Sequence, residues 1–471
     1  MTLSLFDSHS QTLRPFVPLV GGQVGIYLCG PTVQSAPHVG HLRSALVYDQ
    51  LRRWLTAKGM QVTLVRNVTD IDDKVLQNAA GTSEQWWALA YRFELEFNRA
   101  YSALGILPPT YEPRATGSIP EMIALIERLI ANGYAYQATD GSADVYFAAS
   151  KWAAYGELTN QRPQDMAPDA DADLRGKRDP QDFALWKAAK ADEPASASWQ
   201  TPWGAGRPGW HIECSAMSTK YLGSQFDIHG GGLDLRFPHH ENELAQSRAA
   251  GDKFANYWLH NGLVNVQGNK MSKSLGNSIF AADLLAAGRP VVVRYYLGSA
   301  HYRSVLDYHD GVLAEAESAL ARIEAFVNRA TKALGPISAG DSVYANLPGG
   351  FIDAMDSDLN IPQALGVLHE TVRAGNAALD SGTDASGLAA AVVSMLNVLG
   401  LGGQSFGATS GSGNPLEHQA LDSLIQGLIA QRNEARANKD FAQADAIRNQ
   451  LLAANITLSD GADSTHWSIN G

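Results

Sequence analysis

The chain has 471 residues, is 45% hydrophobic and 18% charged, and carries a net charge of −12, enough apolar material for two to four separate cores. Two cysteines in that length exclude a disulfide-rich secreted scaffold, and no apolar run is long enough to span a membrane. The acidic balance argues against general nucleic-acid affinity and confines any RNA contact to local basic faces. The first twenty residues include Asp7 and Arg14 and no long apolar stretch, so no secretory signal is read and a cytoplasmic location is expected.

Val24, Ile26 and Leu28 alternate as a short strand that ends at Cys29, and Gly30-Pro31 breaks it. Pro37-His38-Val39-Gly40-His41 then opens a helix whose apolar face starts at Leu42, Ala45 and Leu46 and which stops near Gly59; Gln61 to Arg66 is the next strand. Strand, helix and strand in this order predict a parallel pair with a right-handed crossover, and ligands of such sheets bind at the carboxyl ends of the strands. His38 and His41 fall at that end, at a helix N-terminus, where imidazoles can bond to the charge developing on a phosphate under attack. The acidic run Thr69 to Asp73 follows the second strand and reads equally as an N-cap cluster.

From Ser118 to about Gln200 an insertion is predicted: a helix over Ile119 to Ala131, strands between Tyr134 and Phe147, and an exposed Asp- and Pro-rich loop over Asp165 to Pro180. The sheet resumes near Pro208. Gly209-Trp210-His211-Ile212-Glu213-Cys214 brings the second cysteine, and Phe226 to Asp234 reads as a strand entering the glycines Gly230, Gly231 and Gly232. Those glycines would let the backbone approach a flat ligand; a plain tight turn reads as well. In Phe237-Pro238-His239-His240-Glu241-Asn242-Glu243, His239 and Glu243 are four apart on one helical face, and His240 with Glu243 is also a workable pair. Two thiolates, an imidazole and a carboxylate would complete a tetrahedral zinc site.

Gly268-Asn269-Lys270-Met271-Ser272-Lys273-Ser274 sets two lysines three apart among small residues, a mobile clamp for a phosphate chain. Val291 to His301 leads into long helical patterns through Leu399, Gly402 to Pro415 is a glycine and serine linker, and Leu421 to Ala437 is a further helix. Arg432, Arg436 and Lys439 fall along one side of it as a basic stripe; Asp440 caps a second helix that buries Phe441, Ala444, Ile447 and Leu451 and exposes Arg448. Trp467 is placed either to stack on an RNA base or to pack on the helix pair.

Taken together, the histidine and lysine signatures resemble those of class I aminoacyl-tRNA synthetases. The order of Cys29, histidine signature, Gly-Trp-His-Ile-Glu-Cys, His-Gly-Gly-Gly-Leu-Asp, Pro-His-His-Glu-Asn-Glu and lysine signature resembles the bacterial cysteinyl-tRNA synthetases over nearly the whole chain. Val39 departs from their usual isoleucine, one methylene smaller. The resemblance implies an α/β Rossmann-like parallel-sheet catalytic domain at 1–117 and 201–285, split by an inserted domain at 118–200. A stem-contact region and helical bundle would occupy 286–401, a linker 402–416 and an anticodon-binding module 417–471.

It further implies one zinc held by Cys29, Cys214, His239 and Glu243 that binds the substrate thiolate directly, selecting cysteine over serine without an editing site. It places Thr69 and Trp210 at the amino acid. Gly40, His229, Gly230, Gly231, Gly232, Asp234 and Lys273 go to ATP, which Mg2+ accompanies. His38, His41, Lys270 and Lys273 carry catalysis, and Arg432, Arg436, Lys439, Arg448 and Trp467 lie at the anticodon of tRNA-Cys, with a monomer as the expected state. The alternatives are a ligase joining cysteine to an amino-sugar amine and a non-catalytic RNA-binding relative.

Overall fold

The computed structural model describes residues 2–161, 176–271, 276–337, 343–402, 415–438, 440–454, 456–460 and 465–469, in two compact units, Met1–Leu401 and Gly402–Gly471. The first unit is organised around a four-stranded parallel sheet in the order Phe254–Asn261, Gln225–Gly232, Gln23–Leu28, Gln61–Arg66. From Gln23–Leu28 the chain crosses through helix α1 (Val39–Ala57) to Gln61–Arg66, and it later returns on the other side of the first strand. The strand order therefore reverses there, the place where ligands of such sheets bind, and Cys29, Asn67 and Gly232 stand at the carboxyl ends.

Helix α1 is buried on both sides of its apolar face. Leu42, Leu46, Leu51 and Trp54 are completely buried, and its second half is gripped by the helices that follow the sheet. Asp49 accepts from Arg53 Nε (2.8 Å) and Arg294 Nη2 (2.5 Å), and Arg294 reaches on to the Leu399 carbonyl (3.0 Å). Trp54 Nε1 and Lys58 Nζ both donate to Asp356 Oδ1, at 3.1 and 2.6 Å.

The insertion forms helix Ile119–Ala131 and an antiparallel sheet of Ala135–Gln137, Val145–Phe147, Phe183–Ala188 and Gly206–Pro208. Its last strand pairs with 186–188, so the insertion runs to 208 rather than ending at 200. Asp73, in helix α2 (Asp73–Ala80), holds it through Lys187 Nζ (2.7 Å) and the buried Arg207, which also pairs with Glu193. Of the expected loop, residues 165–175 lie outside the described residues. Beyond the sheet, Val264–Val266 pairs with Asn269–Lys270 on one side and Leu306–Tyr308 on the other. Helices Pro290–Ser299, Val312–Leu334, Gly349–Asp356, Ile361–Ser381 and Ser386–Leu399 complete the unit. Among the described residues no helix is long and apolar enough to cross a membrane.

In the second unit, helices Pro415–Ala437 and Phe441–Ala453 precede an antiparallel hairpin, Ile456–Asp460 with Thr465–Ile469. Ile425, Ile429, Ile447, Leu451 and Ile456 form its core. Asp440 caps the second helix by accepting from Gln443 N (3.0 Å). Two expectations change here. Phe441 is 62% exposed, because it opens the helix and precedes the apolar stripe. Arg432 is buried, since it continues the line of Ile425, Ile429 and Ala435, leaving Arg436 and Arg448 exposed. Trp467, partly buried, packs against the helix core and donates from Nε1 to Asp422 Oδ1 (2.9 Å), as its packing alternative expects. Lys439 and residues 403–414 of the linker lie outside the described residues.

Candidate active site and metal centre

At the start of α1, His38 is extended (φ −119°, ψ 169°) and accepts from Gly40 N at Nδ1 (3.2 Å), while His41 Nδ1 accepts from His38 N (3.1 Å). The two rings stack with centroids 3.6 Å apart, and Phe97 of helix α3 (Trp86–Ala103) meets His41 edge-on. An imidazole that accepts at Nδ1 carries its proton on Nε2 when neutral, so this capping arrangement makes Nε2 a donor on both rings. Gly40 keeps the turn narrow: a Cβ there would sit 3.1 Å from the His38 ring and 3.6 Å from Met271 Cε. The lysine segment is tied to this turn. Val39 N donates to Ile279 O (2.9 Å), and Ala281 N to Pro37 O (2.8 Å). Lys270 is exposed on its short strand, its carbonyl held by Asn277 Nδ2 (3.2 Å); Lys273 is in 272–275, outside the described residues.

The cysteines meet at the end of the first strand. Cys29 Sγ is 3.6 Å from Cys214 Sγ and 3.3 Å from Glu243 Oε1, and His239 Nε2 is 3.1 Å from the same carboxylate oxygen. Cys29, Cys214, His239 and Glu243 offer ligand atoms within 4.8 Å of one another, and so do Cys29, His229, His240 and Glu243. Burial, then the neighbouring Cys214 and Glu243, pushes the Cys29 thiol well above its usual range; burial also raises Cys214. Burial and neighbouring imidazoles hold His239 and His240 far below the ordinary histidine value, so both are neutral with lone pairs to offer. This donor set fits a thiophilic dication: the ion supplies the positive charge that two thiolates and a carboxylate lack in a buried place. The first group, with two sulfurs, suits zinc better than the second.

Outer partners aim the rings. His211 Nδ1 lies 2.9 Å from His239 Nδ1, which leaves His239 Nε2 toward Glu243, and His240 Nδ1 lies 2.8 Å from His260 Nε2. Asn67 Oδ1 accepts from Gly30 N (2.8 Å) beside Cys214. Neither His211, His260 nor Asn67 was singled out by the sequence; in each the role depends on a partner remote in the chain.

Thr69 is buried and donates to Glu213 Oε2 (2.7 Å), a carboxyl whose pKa burial raises well above normal. Trp210 opens helix Trp210–Leu222 and lies over His239, centroids 4.1 Å apart, so the two residues expected at the amino acid border the metal cluster or its neighbour Glu213. The residues expected at adenosine divide. Gly232 and the exposed Asp234 sit at the strand end. Gly230 and Gly231 are inside the strand, where a Cβ would come within 2.1 Å of the Tyr48 ring and 2.8 Å of His240, so protein rings pack against the side of each glycine where a side chain would stand. His229 is completely buried, bonded to Glu243 Oε2 (2.7 Å) and stacked on Trp258; it belongs to the metal cluster rather than to an open nucleotide surface.

Residues 15–318 match the family of class I (C) tRNA synthetase catalytic domains, 350–403 the DALR domain, and 418–467 the cysteinyl-tRNA ligase anticodon binding domain. The chain is 65% identical to the cysteine--tRNA ligase of Clavibacter sepedonicus and 62% to that of Leifsonia xyli subsp. xyli, in each case over 100% of both chains. In fold it is similar to Mycobacterium tuberculosis methionyl-tRNA synthetase in complex with methionyl-adenylate, with a TM-score of 0.57 and 17% identity over 80% of this chain and 90% of that one. The small-amine acceptor and the non-catalytic RNA-binding alternative are left without support. From its catalytic, DALR and anticodon-binding regions alike, the chain belongs to the cysteine--tRNA ligase family of class I aminoacyl-tRNA synthetases.

Proposed function

We propose that the reaction runs in two steps at the carboxyl ends of the parallel strands. A carboxylate oxygen of cysteine attacks the α-phosphorus of ATP, the bond to the bridging oxygen breaks, and pyrophosphate leaves. The terminal ribose hydroxyl of tRNA-Cys then attacks the carbonyl of the adenylate and AMP departs. His38 and His41 donate from Nε2 to the α-phosphate oxygens as charge builds on them, because both Nδ1 atoms are engaged by backbone amides. Lys270 and Lys273 hold the departing pyrophosphate, and Mg2+ brought in with ATP would help to neutralise its charge. Zinc held by Cys29, Cys214, His239 and Glu243 would supply a sulfur-preferring acceptor for the substrate thiol.

Trp210 covers the amino acid, and Thr69, fixed by Glu213, lines its other side. Gly232 and Asp234 remain the residues placed for adenosine. Arg436, Lys439 and Arg448 are assigned to the anticodon of a cytoplasmic tRNA, read by a monomer. The observation that carries the reading is the buried cluster of two thiols, imidazole and carboxylate directly after the strand that leads into the histidine turn. ATP–pyrophosphate exchange with cysteine, with serine and with no amino acid tests it, followed by charging of tRNA. Exchange supported equally by serine overturns the selection by sulfur, and exchange without charging overturns the acceptor.

A further inference from the structure

Arg43, two residues beyond His41, is 1% exposed, and no carboxylate among the described residues pairs with it. Its guanidinium reaches three backbone carbonyls instead: Leu263 (2.6 Å), His301 (3.4 Å) and Ser304. Burial lowers its pKa to about 10, so it is still charged at neutral pH. A buried charge answered only by carbonyls is an unfavourable arrangement that needs a compensating use.

The carbonyls belong to two segments that cross closely, since a Cβ on Gly262 would lie 2.2 Å from the Ser304 oxygen. One segment runs into Val264–Val266 and the other into Leu306–Tyr308, the central and outer strands of the small sheet whose third strand is Asn269–Lys270. The far foot of the lysine loop is already fastened to the histidine turn through Val39 N to Ile279 O and Ala281 N to Pro37 O. We infer that Arg43 is a positioning residue that fastens the near foot, so that one helix, α1, fixes both ends of the lysine loop against the catalytic histidines. A guanidinium suits this task because its planar fork spans three acceptors, where an ammonium is a single point on a flexible stem.

The inference rests on the reading of Lys270 and Lys273 as pyrophosphate ligands, which act in adenylation and not in transfer to tRNA. Arg43→Lys is the informative variant, with Arg43→Met as the harsher companion. In the full-length, zinc-loaded enzyme, Arg43→Lys should keep a cooperative unfolding transition and the wild-type affinity for cysteine. Single-turnover adenylation should fall by about 100-fold, the scale of a 1 Å misplacement. Transfer from adenylate already bound should fall several-fold at most, and amides of Val264–Val266 should exchange hydrogen faster. Adenylation within threefold of wild type overturns the inference, as does an equal fall in both steps. If Lys270→Ala leaves adenylation unchanged, the underlying reading of the lysine loop fails instead.

Discussion

Replacing Gly230 by alanine should cost more than any glycine-to-alanine change on the surface of this chain, and the cost traces to one ring. The added methyl would lie 2.1 Å from Tyr48 Cε1, 2.4 Å from Cζ and 2.5 Å from the hydroxyl, whereas carbons in contact rest at about 3.5–4.0 Å. The ring must withdraw by more than about 1 Å. Tyr48 is fully buried, and its hydroxyl donates to Leu259 O (2.7 Å) and accepts from Gly231 N (2.7 Å). Withdrawal breaks both bonds and leaves two buried groups unpaired, about 1–3 kcal/mol each, on top of overpacking of about 1–3 kcal/mol. A loss of about 3–9 kcal/mol follows, read as a lowered urea midpoint by tryptophan fluorescence. Tyr48→Phe should cost about 2–6 kcal/mol through the same two lost bonds, without the overpacking. The decisive comparison is Tyr48→Ala with and without Gly230→Ala: with the ring gone, the methyl has room and should add no further loss. If the two costs simply add, the clash is not their source.

Metal analysis should find one zinc per chain in the parent protein and little in Cys214→Ser or His239→Ala, with His240→Ala retaining it; a full complement in Cys214→Ser would assign the ion to the His229 and His240 group. Lys273→Ala should slow adenylation by at least about 100-fold while cysteine binding, by equilibrium dialysis, changes little; equal losses in both would contradict its role. Burial opposes ionisation of Asp73, but the Lys187 and Arg207 charges outweigh it and hold the carboxyl well below the usual range. The stability it contributes is present above the unfolded carboxylate pKa, near 4 by ordinary values, and is lost only as pH falls through the depressed one. Asp73→Asn should therefore destabilise the docking of the insertion by about 3 kcal/mol at pH 7, and proteolysis within 118–208 checks it: parent-like resistance would rule the contact out.

The elements around the site were legible where the signal is local. Val24, Ile26 and Leu28 alternate, α1 announces itself by its apolar period, and helix Ile119–Ala131 falls where the pattern put it. The candidate donors were legible because only two cysteines exist and because His239 and Glu243 share a helical face, although that spacing left His240 open and only the family resemblance singled out His239. What the chain order does not display is which faces meet. The resemblance put His229 at ATP, yet strand parity alone leaves open which side carries the cluster, and its ring turns in to Glu243. Gly230 and Gly231 answer to Tyr48 and His240, residues distant in sequence. Arg432 shared a spacing with Arg436, but the apolar line it extends decided its burial. The three-residue strand Gly206–Pro208, closed by proline, is too short for alternation to register.

Helix α1 is 19 residues long, a beam of roughly 28 Å at the usual rise. The catalytic pair sits at one tip. Near the other, Trp54 and Lys58 are clamped to Asp356, and midway along Asp49 holds Arg294. Pivoted at the clamped end, a tilt of about 2° sweeps the histidine tip through about 1 Å, a distance that costs catalysis about 100-fold. The stiffness of that joint therefore sets a mechanical tolerance on the chemistry, so substitutions at Asp49, Arg294 or Asp356 belong among those that detune the active site from far outside it.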